Sequence, residues 1–284
     1  MTMKDSFVYF GTPYVARDTL LRLAERGFAP SLVVSSPDAP RGRGLVLTPS
    51  ETKAWALERG IPVITPEKLD EDAIEAIQGA GASYGICVAY GKILPESLIG
   101  AFPKGILNIH YSLLPKYRGA SPVESALLAG DAVTGVAIQK MAREMDAGDV
   151  IAMREVAIEP AETTRELRPR LAAIGANLLA DILPDYLAGK IRGTEQDHAQ
   201  ATRARKIQKA DGELHLAGDA RENWNKYRAY AESPGTFFFA ERGGKLVRVK
   251  IMTAALTPAG EFAPLRVVPE GRKEMDYADF ARAG

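Results

Sequence analysis

The chain has 284 residues, 46% of them hydrophobic and 25% charged, with 36 Lys+Arg set against 36 Asp+Glu. At roughly 100–200 residues per domain this is one large domain or two modest ones, with a core large enough to need no staples, and the zero formal net charge excludes a globally basic nucleic-acid coat but not a local basic patch. One cysteine, Cys87, and three histidines, His110, His198 and His215, exclude an internal disulfide framework and a Cys-rich zinc site, so no metal is expected.

The first six residues lead into no apolar signal region. No 18-residue apolar run follows anywhere. The expectation is a soluble cytoplasmic protein with no membrane partner.

Taken in chain order, residues 6–11 (SFVYFG) read as a strand. Pro13 opens a helix whose apolar positions Val15, Leu20, Leu21 and Leu23 recur at helical spacing until Gly27 stops it. Residues 31–36 (SLVVSS) form a buried strand, 51–59 a helix, 62–64 a short strand and 70–78 a helix. Residues 83–90 (SYGICVAY) and 105–110 (GILNIH) are two more apolar strands. A loop over 111–120 precedes a short helix from Ser121 to Leu128. Strands over 134–141 and 149–158 flank a polar loop, and a long helix capped by Thr163 runs to Leu187. Strands alternating with helices predict a doubly wound, mostly parallel α/β sheet, with ligands beyond the carboxyl ends of its strands. That rule points to 11–13, 89–91 and 108–112.

From about residue 191 the periodicity fades. Residues 191–213 read as a linker between a domain over 1–190 and a small β-rich domain over 214–284. In the latter, Val247, Val249 and Ile251 share one strand face and Arg248 and Lys250 the other.

Asn108 and His110 are the densest chemical signal. At i and i+2 of a strand, the amide and the imidazole emerge on one face. An amide can donate to a developing oxyanion, and an imidazole can carry a proton near neutral pH, a combination suited to acyl transfer. The plainer alternative is a histidine that closes a strand by bonding a neighbouring carbonyl. Asp146, before Gly148, is either a turn residue or a carboxylate that orients the histidine. Ser112 is thinkable as a nucleophile, but no G-x-S-x-G elbow surrounds it. Arg41-Gly42-Arg43-Gly44 lacks the context of a dinucleotide fingerprint; it is a phosphate-contacting loop or a solvated one. Arg205, Lys206, Lys209 and Arg248 extend the basic character, compatible with a polyanion or with an ordinary solvated face.

Taken together, residues 108–122 (NIHYSLLPKYRGASP) and 134–151 (TGVAIQKMAREMDAGDVI) resemble the folate-dependent formyltransferase family. The F-G-T-P near the N-terminus, the loop over 37–44, the run over 88–95 (VAYGKILP) and the closing P-E-G-R-K-E-M extend the likeness over nearly the whole chain, more loosely in the last 80 or so residues. The resemblance implies a Rossmann-like core with a truncated OB-like C-terminal barrel. It implies 10-formyltetrahydrofolate as donor and, among the family's branches, the methionine α-amino group of initiator tRNA as acceptor. Attack by that amine passes through a tetrahedral oxyanion. The family roles fall on Asn108, His110 and Asp146 as catalytic residues. Ser112, Leu113, Leu114 and Pro115, with Tyr90, Gly91, Ile93, Leu94 and Pro95, fall on the folate site. Arg41 and Arg43 fall on the loop that meets the tRNA acceptor stem, with the basic residues of the linker and second domain as further contacts. The chain is expected to act as a monomer.

Two features depart from the family pattern. About two strands of the barrel are missing after Leu256, where a closed barrel needs five or more. Residues 212–216 (GELHL) lack the family's usual tryptophan. Three other functions share these residues: formyl transfer to a small amine such as a nucleotide-linked amino sugar, hydrolysis of the folate donor, and RNA binding on a relic fold.

Overall fold

The computed structural model describes residues 6–42 and 44–283. The five-residue apolar strand β1 (Phe7–Gly11) is buried along its length. In α1 (Tyr14–Glu25), Val15, Ala16, Thr19, Leu20 and Leu23 form one buried face at helical spacing. Strand β2 (Leu32–Val34) leads to a hairpin of β3 (Ala39–Arg41) and β4 (Val46–Thr48). Helix α2 (Glu51–Leu57) is capped by the Ser50 hydroxyl, which accepts from Lys53 N–H at 3.1 Å. After β5 (Val63–Ile64), Asp70 caps α3 (Glu71–Gln78) in the same way. Then follow β6 (Tyr84–Val88), α4 (Glu96–Gly100), β7 (Ile106–His110), β8 (Arg118–Gly119), α5 (Pro122–Ala129), β9 (Val133–Lys140), β10 (Val150–Ala157) and α6 (Thr164–Leu187). The rest comprises β11 (Arg203–Ala204), α7 (Ala220–Ala229), β12 (Thr236–Arg242), β13 (Lys245–Leu256), β14 (Phe262–Pro269), β15 (Met275–Asp276) and α8 (Tyr277–Arg282).

The chain packs as two compact units. The first holds residues through 118, 135–156 and 168–203; the second holds 119–134, 157–167 and the chain from 204 on. In the first, seven strands lie in the order β10-β9-β7-β6-β1-β2-β5. Strands β5, β2, β1, β6 and β7 run parallel, and β9 is antiparallel to β7. From β1 the chain first builds outward through β2 and β5, then returns to β6 on the other side. The strand order therefore reverses between β1 and β6, where doubly wound sheets open a ligand crevice. Val8, Phe10, Val34, Ile77, Leu98 and Ile106 are among the residues of the core beneath it.

In the second unit, β12-β13-β14-β15 form an open antiparallel sheet. Phe238, Val249, Ile251 and Val267 pack from it onto Leu214 and Phe280. The chain does not pass almost directly from Leu256 to its closing segment. It returns through the eight-residue strand β14. Pro264 and Pro269 mask that strand in the sequence, because proline removes a ladder donor. Pro264 is accommodated next to the register shift around Thr253. The basic loop after β2 is likewise a paired hairpin, with Ala39 opposite Thr48 and Arg41 opposite Val46.

Candidate active site

Strand β7 is paired on both sides, so its alternation is fixed. Asn108 lies opposite Cys87 of β6 and Gln139 of β9, and His110 lies opposite Ala137. Ile109 points the other way and packs where a Cβ on Gly175 would come within 2.7 Å of it. The amide and the imidazole thus share one face at the carboxyl end of a central strand.

Asp146 reaches this pair from the turn after β9. Its Oδ1 lies 3.4 Å from Asn108 Nδ2 and 3.6 Å from His110 Nδ1. The turn is tight: Asp146 adopts φ +54°, and a Cβ on Gly148 would stand 1.8 Å from the Lys140 carbonyl oxygen. Only glycine fits there. The same Oδ1 accepts a 2.8 Å bond from Gln139 Nε2, and Gln139 is 1% exposed.

His110 Nε2 lies 2.9 Å from the main-chain oxygen of Tyr117. A carbonyl only accepts, so Nε2 carries a proton and Nδ1 is the nitrogen left to exchange one. Nδ1 is also the nitrogen that faces Asp146. The ring thus bonds a neighbouring carbonyl through Nε2 and turns Nδ1 toward Asp146.

The loop after β6 turns at Ala89 (φ +46°) and Gly91 (φ +82°). Thr12 Oγ1 donates to Tyr90 O at 3.2 Å, across the point where the strand order reverses. Lys92 Nζ donates to the main-chain oxygens of Pro66 and of Glu67, the latter at 2.8 Å. The side chains of Tyr90 and Leu94 belong to the core, whereas Ile93 is 77% exposed. Pro95 precedes α4 as its N-cap. Burial pushes the Tyr90 hydroxyl up to about 12 and the Cys87 thiol likewise to about 12. In the next loop, the fully buried Ser112 donates its hydroxyl proton to Lys116 O at 2.6 Å. Its hydroxyl is thus bonded within its own turn. Leu113 packs where a Cβ on Gly135 would sit 2.3 Å from it, Leu114 is buried and Pro115 half-buried.

Among the basic candidates, Arg41 forms a forked pair with Glu51 at 2.5 and 3.3 Å. Arg43 lies outside the described residues. In the second unit, Arg205 clasps Asp211 at 2.6 and 2.7 Å, and this guanidinium holds the Asp211 carboxyl down to about 2. Lys206 and Lys209 are exposed. The Arg248 guanidinium stacks 3.8 Å above the Phe237 ring.

Four residues around the site carry no sequence-level assignment: Tyr117, Arg118, Gln139 and Gln196. A polar Gln139 at a buried position of β9 is a readable signal. Tyr117 and Arg118 lie inside the 108–122 motif, but the sequence does not say that one offers its carbonyl and the other its guanidinium, and Gln196 sits in an aperiodic segment.

Residues 3–183 match the family model described as formyl transferase. A methionyl-tRNA formyltransferase of Anaeromyxobacter dehalogenans is 40% identical over 263 residues, 92% of this chain and 84% of that one. That of Phenylobacterium zucineum is 38% identical over 293 residues, 96% and 95% of the two chains. Among solved structures, a methionyl-tRNA formyltransferase from Clostridium thermocellum superposes with a TM-score of 0.63 at 16% identity, covering 95% of this chain and 98% of that one. An N-formyltransferase from Helicobacter canadensis, solved with folinic acid and dTDP-3-aminofucose, gives 0.66 at 19% identity over 90% and 88%.

Proposed function

The chain belongs to the formyl transferase family, and from that premise we infer that it transfers the formyl group of 10-formyltetrahydrofolate to the methionine α-amino group of initiator tRNA. The observation that carries the reading is the convergence of Asn108, His110 and Asp146 around one carboxylate oxygen. The donor supplies a formyl carbon activated by its nitrogen, so no metal is required. The loops over 89–95 and 112–115 are our candidates to hold it. Their support is the left-handed turn at Gly91 and the apolar Ile93 side chain presented at the rim.

Each residue then has a chemical task. When the amine adds to the formyl carbon, charge builds on the formyl oxygen. The Asn108 amide donates to that oxygen, and one such donor is worth roughly 10²–10³ in rate. His110 Nδ1 takes the proton that the amine sheds, a contribution of roughly 10²–10⁴. Asp146 balances the imidazolium so formed and holds the ring on its working side. The proton on Nδ1 then goes to the departing folate nitrogen, and the formyl–nitrogen bond of the donor breaks.

Arg41 and Arg43 in the first-domain loop, and Arg205, Lys206, Lys209 and Arg248, are our candidates for the tRNA phosphates. We take a transferase domain over 1–190 and a β-rich domain over 214–284, joined by the segment over 191–213, as the functional division. No helix among the described residues is long and apolar enough to cross a membrane, and we place the enzyme in the cytoplasm as a monomer. The decisive experiment is transfer of labelled formyl from 10-formyltetrahydrofolate to charged initiator tRNA, run beside amino-sugar nucleotides and a no-acceptor control. Label on the tRNA supports the reading. Label on the sugar, or formate without any acceptor, overturns it.

A further inference from the structure

The Asp146 turn is neither helix nor strand, and it keeps a non-glycine residue in the left-handed region. Such a backbone persists only when its surroundings over-determine it. The restraint comes from 50 residues away, in a segment whose sequence reads as a linker. Gln196 Nε2 donates to Asp146 O at 2.9 Å and to Gly148 O at 2.6 Å. Its Oε1 accepts from Arg118 Nε at 3.1 Å and Nη2 at 2.8 Å. Both N–H donors and both lone pairs of this one amide are used, and Gln196 is 6% exposed, so water does not compete.

The same segment holds the histidine's side of the site. Tyr117 N–H donates to Thr202 Oγ1 at 2.8 Å, Arg118 N–H donates to Thr202 O at 2.9 Å, and Arg118 Nη2 reaches His198 Nδ1 at 3.1 Å. Tyr117 is the residue whose carbonyl fixes His110. One stretch, 196–202, thus grips the backbone beneath Asp146 and the backbone that orients His110.

The geometry points to Gln196 as a positioning residue that sets the distance between Asp146 and His110, with Arg118 as its anchor. This rests on the catalytic reading given above. It makes the 196–202 segment part of the active-site framework. Misplacing a reacting group by about 1 Å costs roughly 10²-fold, so Gln196 controls turnover without touching substrate.

The test uses the full chain in four forms: wild type, Asp146→Asn, Gln196→Met and Gln196→Glu. Formyl transfer gives kcat and both KM values, and hydrogen exchange reports the amides of residues 142–149. Gln196→Met is expected to lose about 10- to 100-fold in kcat, with both KM values within about twofold and with faster exchange over 142–149. Gln196→Glu keeps an acceptor for Arg118 and so protects folding, but turns an oxygen toward the Asp146 and Gly148 carbonyls; it is expected to fall at least as far. Wild-type kcat in Gln196→Glu, or unchanged exchange in Gln196→Met, overturns the proposal. If wild type itself transfers no formyl group, the catalytic reading fails, while the exchange data still decide whether Gln196 holds the turn.

Discussion

His110 Nε2 and the Tyr117 carbonyl oxygen stand 2.9 Å apart, with Asp146 Oδ1 3.6 Å from the opposite ring nitrogen. The bond to Tyr117 fixes the tautomer, and Tyr117 itself sits at φ +60°. Nitrogen-15 NMR of the resting enzyme is expected to show neutral His110 protonated at Nε2. A ring protonated at Nδ1 in the neutral form would remove the proton acceptor proposed for the amine. In kinetics, His110→Ala is expected to lose roughly 10²–10⁴ in kcat and Asn108→Ala roughly 10²–10³.

Gln139 restrains the Asp146 carboxylate directly, at 2.8 Å. Its own Oε1 is buried with no hydrogen-bond partner among the described residues. Gln139→Met removes both the donor and this costly acceptor, so unfolding stability is expected to change by only about 1 kcal/mol. Turnover is expected to fall roughly tenfold, because the carboxylate loses this restraint. Equal kcat in wild type and variant would show that the carboxylate needs no such restraint.

The Arg41 fork on Glu51 leaves the guanidinium side chain 46% exposed, available to a phosphate while already pointed. Arg41→Ala is expected to raise KM for tRNA and to lower the salt slope of that KM by about one contact, with little change in kcat. Measuring KM across a salt series decides it; an unchanged slope counts against the hairpin as a tRNA contact.

Cys87 lies beside Asn108, yet burial pushes its thiol up to about 12. The thiolate is the reactive species, so the native protein is expected to resist iodoacetamide at pH 8 and to react once unfolded. Rapid modification of the folded enzyme would mean that the floor of the site opens to solvent.

Asp211 is held down to about 2 by Arg205. A carboxylate with a depressed folded value stabilises the fold above its unfolded value near 4, and that contribution is lost as pH falls toward 2. Because the Arg205 side chain is 68% exposed, screening limits the gain to about 1 kcal/mol or less. Asp211→Asn is expected to lower the thermal midpoint at pH 7 and to converge with wild type near pH 2. A constant offset across that range would assign the loss to something other than the ion pair.

Much of this molecule is written locally. Apolar runs of period two and helical faces such as Val15, Leu20 and Leu23 place most elements of the sheet to within a residue or two. Strand alternation alone puts Asn108 and His110 side by side. Local signals fail where proline interrupts a true strand, as at Pro264, and where a helix is as short as α4.

The approach of Asp146 to Asn108, across 38 residues of sequence, is decided by tertiary structure. So are the bond from Gln139 to that carboxylate, the hold of Gln196 on the backbone beneath it, and which ring nitrogen of His110 faces it. The reason is physical: these bonds join groups far apart in the chain, and several of them end on main-chain carbonyls. Every residue carries such a carbonyl, so no side-chain pattern announces which one the fold will use.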